Sequence, residues 1–100
     1  MKDFNTLKGR HFRLKDSKIS YTKKEYYWHI PKELREKNIA KGDIVLVSAK
    51  EAKERVFVTD VFREDIEETG KKYKSVHDKI DPTPELINAL EAKKAEMLGG

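Results

Sequence analysis

The sequence predicts a small α+β fold that is mainly β. The expected form is a strongly bent antiparallel sheet or SH3-like barrel of five to six strands, with one inserted helical turn (31–38) and a C-terminal α-helix (84–98). Three observations carry this. Short runs of alternating apolar and polar residues recur between residues 11 and 78, separated by turn-forming residues. The step Ile30-Pro31 interrupts them with a charged, helix-forming segment. Residues 81–100 then change period, from two to the three-and-four spacing of an amphipathic helix.

The elements follow in order. "HFRLK" at 11–15 alternates Phe12 and Leu14 with polar residues, and "KISYT" at 18–22 repeats the pattern with Ile19 and Tyr21. Asp16-Ser17 between them are turn residues, because their side chains bond to nearby backbone. "EYYWHI" at 25–30 is the strongest early strand. Period two places Tyr26, Trp28 and Ile30 on one face and Tyr27 and His29 on the other, so Trp28 and Tyr26 are expected in the core. Pro31 suits the first helical position, Leu34 is the inward residue of "KELREK", and Gly42 ends the excursion before a strand starting at Asp43. "DIVLVSA" and "ERVFVTDVF" pair across a longer loop, "KEAKE", that contains Glu51 and Lys53. A further strand is expected at 71–78 after a Thr69-Gly70 turn. Residues 1–80 thus form the barrel-like domain, and residues 81–100 append a helix. Thr83 caps that helix, Pro84 starts it, and Leu86, Ile87, Leu90, Met97 and Leu98 make its apolar stripe. A helix this short needs a surface to bury that stripe, which is expected to be the sheet of its own chain.

Composition narrows the class. Charged residues make up 40% of the chain and apolar ones 37%, enough for a modest core. There is no cysteine, which excludes disulfides and thiolate metal sites and suits a reducing compartment. "MKDFNTLKGRHF" has no apolar run, so neither a signal peptide nor a membrane anchor is expected, and the location expected is the cytoplasm.

Charge is uneven. Residues 1–32 hold nine Lys/Arg against three Asp/Glu. Asp60 to Glu68 reverse the sign, and "KKYK" at 71–74 turns basic again. A basic first third suits phosphates or an acidic protein. The residues expected to meet a partner are Lys23, Lys24, Tyr27, His29, Lys32 and Arg35, with Arg10 and Arg13 as further cations. Aromatic rings interleaved with cations can stack on bases and hold their phosphates, or grip a protein groove.

Catalysis finds little support. His11, His29 and His77 lack metal-ligand spacing, so no metal and no cofactor are expected. Glu51 and Lys53 lie in the expected loop rather than on the rigid strands a carboxylate-and-lysine nuclease centre requires. The acidic run lacks the glycine-centred spacing of a calcium loop.

Two resemblances add to this reading. "IPKELREKNIAKGDIVLV" resembles the centre of AbrB-type swapped-hairpin transcription factors, about residues 28–47, although Trp28-His29 stands where those proteins often have Gly-Arg. That resemblance implies an intertwined homodimer that binds DNA. "YYWHIPKEL", "KGDIVLV", "VFVTDVFRE" and "EETGKKYKSV" together resemble small uncharacterised proteins carried by phages and prophages of Gram-positive bacteria, over residues 26–76. This wider resemblance implies a cytosolic accessory protein of a mobile element, without catalytic residues. The function expected is binding to a host or phage protein, by a monomer or homodimer and without a membrane. The alternative is nucleic-acid binding through the basic face.

Overall fold

The computed structural model describes residues 4–48, 52–64 and 73–98. Six strands form one antiparallel sheet. β1 (Thr6–Lys15) turns at Asp16-Ser17 into β2 (Lys18–Tyr21), and β3 (Tyr26–His29) returns to the same side of β1. β5 (Lys53–Phe62) lies on the other side of β1, followed outward by β4 (Ile44–Ser48) and β6 (Val76–Ile80). The sheet bends without closing. Its two edges touch where the His29 N–H donates to the Lys74 carbonyl at 2.9 Å, beside a bridge between His29 and Ser75. That isolated bridge is no strand ladder, so of the two expected forms the open, bent sheet is the one adopted, not the closed barrel.

Local chemistry explains most boundaries. Asp16 and Ser17 both adopt left-handed backbone (φ 52° and 60°), the mirror-image turn that matches strand twist in two-residue hairpins. Gly42 takes φ 94°, and the Asp43 carboxylate accepts the Ala40 N–H at 2.8 Å, so β4 starts at Ile44 rather than Asp43. The inserted helix is a single turn, α1 (Lys32–Arg35), and looser turns continue it to Asn38. Pro31 stands one place earlier than expected, as the N-cap, with extended ψ of 156°.

Several expectations need correction. β1 begins at Thr6, five residues before the expected strand, because its first half is buried through polar and small residues. The Asn5 side chain replaces a ladder partner: its Nδ2 donates to the Glu64 carbonyl at 2.7 Å and its Oδ1 accepts the Glu64 N–H at 2.8 Å. Lys53 belongs to β5 and not to the loop. The last strand starts at Val76, where ladder bonds to β4 begin, and runs to Ile80. The Thr69-Gly70 turn and Glu51 lie outside the described residues.

Both faces of the sheet carry apolar clusters. On one face Leu7, Trp28, Val45, Val47, Val56 and Val58 meet Ile30, Leu34 and Ile39 from the α1 region. On the other, Phe12, Ile19, Ile44 and Phe57 receive the helix α2 (Pro84–Met97) through Leu86, Ala89, Leu90 and Met97. Each buried Val, Leu, Ile, Phe or Met side chain here contributes about 1.5–3 kcal/mol of transfer free energy. The Thr83 hydroxyl accepts the Leu86 N–H at 3.2 Å, as its cap position requires. Ile87 is exposed and Ala89 is buried in its place, because the stripe follows i, i+3, i+4 from Leu86. Among the described residues no helix is long and apolar enough to cross a membrane.

Candidate partner-binding face

β3 divides its rings unevenly between the two faces. Trp28 faces Leu7 in the register and is 4% exposed. Tyr26 shares that face but is 37% exposed, contrary to its expected place in the core. Its partner across the ladder is Gly9, which offers no side chain to cover it. Gly9 is required there: a Cβ would stand 2.5 Å from Val56 Cγ1 and 2.7 Å from the Phe57 carbonyl oxygen, next to a register shift. Tyr26 instead packs against His11 at 5.3 Å, with the Lys24 ammonium 5.2 Å from its ring centre.

Tyr27, on the opposite face, is 42% exposed and belongs to a cluster the sequence did not reveal. Its ring meets Phe62 at 6.1 Å, nearly perpendicular, and Tyr73 at 5.6 Å, tilted. Lys8 is the cross-strand neighbour of both Tyr27 and Asp60, which puts the three residues in one row. His29, Thr6 and Phe62 form the next row, where Thr6 is fully buried. This half of the face lies beyond the cluster that α2 covers.

The cations expected to meet a partner are not equally available. Arg10 is committed inside the protein. Its Nε donates to the Met97 carbonyl at 2.8 Å, one terminal nitrogen to the Thr22 and Lys23 carbonyls, and the other to Glu25 Oε1 at 2.9 Å. Arg13, three residues on, points to the other face and pairs with Glu54 at 3.3 Å. His11 Nδ1 lies 2.9 Å from the second oxygen of Glu54, close enough for an ion pair but outside hydrogen-bond alignment. Arg35 turns its Nε back to the Ile30 carbonyl at 3.2 Å. Lys23, Lys24 and Lys32 are exposed, and His29 is half-buried on the Tyr27 face. The structure thus puts Tyr27 and His29 on one face of β3 and Lys24, over Tyr26, on the other, and sets Arg10, Arg13 and Arg35 apart in role and direction.

Glu25 organises this region, a role that no local sequence pattern marks. It accepts from Arg10, from Lys8 at 3.1 Å and from the Thr59 hydroxyl at 3.3 Å. The hydrogen bond to Glu25, and then the field of its carboxylate, raise the Lys8 pKa above the ordinary lysine value. Asp60 is exposed; its Oδ1 accepts the N–H of Val61, and the field of its carboxylate adds to the rise of the Lys8 pKa.

No curated protein and no solved structure matches the chain significantly. A family model does match, over residues 2–81, which spans the whole sheet and stops before α2. The chain therefore belongs to the family of unknown function DUF5839.

Proposed function

We propose that this chain is a non-catalytic protein-binding module. It works in the cytoplasm as an accessory of a mobile element, and docks on a host or phage protein to inhibit or redirect it. One observation carries the reading: the half of the outer face not covered by α2 presents the exposed Tyr27 with Phe62 and Tyr73. Rings surrounded by mixed charge are typical of the anchoring centre of a protein interface. Phosphates call for available cations, yet Lys8 and Arg10 bond to Glu25 and Arg13 to Glu54, which leaves the exposed Lys23, Lys24 and Lys32 of the expected set. The exposed pair of Lys24 and Tyr26 favours a second reading, nucleic-acid binding around the loop that joins β2 to β3.

The test uses immobilised wild type and Tyr27→Asp in extract of the cell that encodes the protein. A protein retained by the wild type and lost with Tyr27→Asp supports the reading, provided the variant keeps its melting temperature. Equal retention overturns it. Anisotropy of labelled oligonucleotides over a salt series decides the second reading. Saturable binding that falls steeply with salt and weakens in Lys23→Glu/Lys24→Glu establishes it.

A further inference from the structure

We propose that the cavity between the α1 region and the end of β5 binds a small apolar carboxylic acid as its carboxylate. The cavity holds about 430 Å³, a volume within the range of small-molecule sites. Phe4, Ile30, Ile39 and Val61 supply its apolar walls. All four belong to the cluster on the Trp28 side of the sheet, opposite Tyr27, so the inference does not depend on the docking reading. Two local features shape the site. The Ile30 N–H donates to the Asn5 carbonyl at 2.8 Å, which fixes that wall where β3 ends. Asn38 takes a left-handed φ of 51°, ends the helical turns after α1, and is followed by Ile39, Ala40 and Lys41 as further lining.

Charge selects among apolar ligands. The charged side chains that line the cavity are Arg35 and Lys41, both cations, and no carboxylate lines it among the described residues. The Arg35 Nε bonds to the Ile30 carbonyl at 3.2 Å, which holds the guanidinium beside that wall. Lys41 is exposed and joins no ion pair among the described residues. Asp43, two residues on, is already engaged by the Ala40 N–H at 2.8 Å and the Lys79 ammonium at 3.3 Å. An apolar body against Ile30 and Val61, with its carboxylate toward Lys41 and the Asn38 amide, matches both halves of the lining. A bare phosphate leaves the walls uncovered, and an amine meets like charge.

The test is a heteronuclear NMR titration of the full chain with phenylacetate and isocaproate. Phenylacetamide and phenethylamine serve as neutral and cationic counterparts, and N-acetyl-phenylalanine mimics a protein C-terminus. The acids should give saturable shifts centred on Ile39, Lys41 and Val61, with the amide about tenfold weaker and the amine silent. Lys41→Met should weaken phenylacetate about threefold, the scale of an exposed ion pair, and leave the amide unchanged. Ala40→Leu, at an exposed lining position, should weaken acid and amide alike while the melting temperature holds. Equal binding of acid and amide, shifts centred elsewhere, or no shifts from either acid overturn the inference. Tighter binding of N-acetyl-phenylalanine than of phenylacetate assigns the cavity to a chain terminus and overturns the free acid as its ligand.

Discussion

Arg10 shows how a residue that reads as a ligand-binding cation becomes structural. Its neighbours in sequence are polar or small, and nothing local reveals that its acceptors lie on residues 22, 23, 25 and 97. Arg10→Met keeps the aliphatic stem but leaves the Met97 carbonyl without its side-chain donor and Glu25 with Lys8 and Thr59 alone. We expect a loss of about 2–3 kcal/mol in urea unfolding, because hydrogen bonds to charged groups are worth more than neutral ones. Arg13→Met, on an 81% exposed side chain, should change stability little in the same measurement. Gly9 fails for the opposite reason. Gly9→Ala drives a methyl into Val56 and into the Phe57 backbone, and should cost about 1–3 kcal/mol or more.

At the scale of elements, α2 is the most legible part of the chain and β1 the least. The Thr83 cap, Pro84 and the stripe through Leu86, Leu90 and Met97 could all be read from spacing. Thr83→Ala should cost about 1 kcal/mol in thermal or urea unfolding, and Thr83→Ser should restore most of it. The hairpin at Asp16-Ser17 was equally legible, since the turn chemistry is local. β1 was legible only from His11 onward, because Asn5, Thr6 and Gly9 break the apolar alternation. They are buried by bonds and close approach that only the folded sheet supplies. The candidate face was half legible for the same reason. Tyr27 could be assigned outward by period two, but Phe62 and Tyr73 join it through pairings across 35 residues and more. The misplacement of Tyr26 came from a cross-strand partner, Gly9, that no strand pattern identifies.

For the whole molecule, two ion pairs set opposite limits on pH. Lys8 has a raised pKa in the fold, so the stability it contributes is complete below the ordinary lysine value of about 10.4 and is lost as pH rises through the raised one. Asp78 is lowered by its hydrogen bonds from Lys37 and from the Lys79 backbone. Its contribution is present above about 3.9 and is lost as pH falls through the lowered value. Urea midpoints measured against pH should show Lys37→Met losing part of the acid-side fall while the alkaline side is unchanged. A last consequence concerns synthesis. A nascent chain emerges from its N-terminus, yet β1 needs β5 for one flank, and Arg10 needs the carbonyl of Met97, 87 positions later. β1 therefore waits for α2, and a chain halted at residue 81 would leave the Arg10 Nε without its acceptor and the apolar face that α2 covers bare for any chaperone to find.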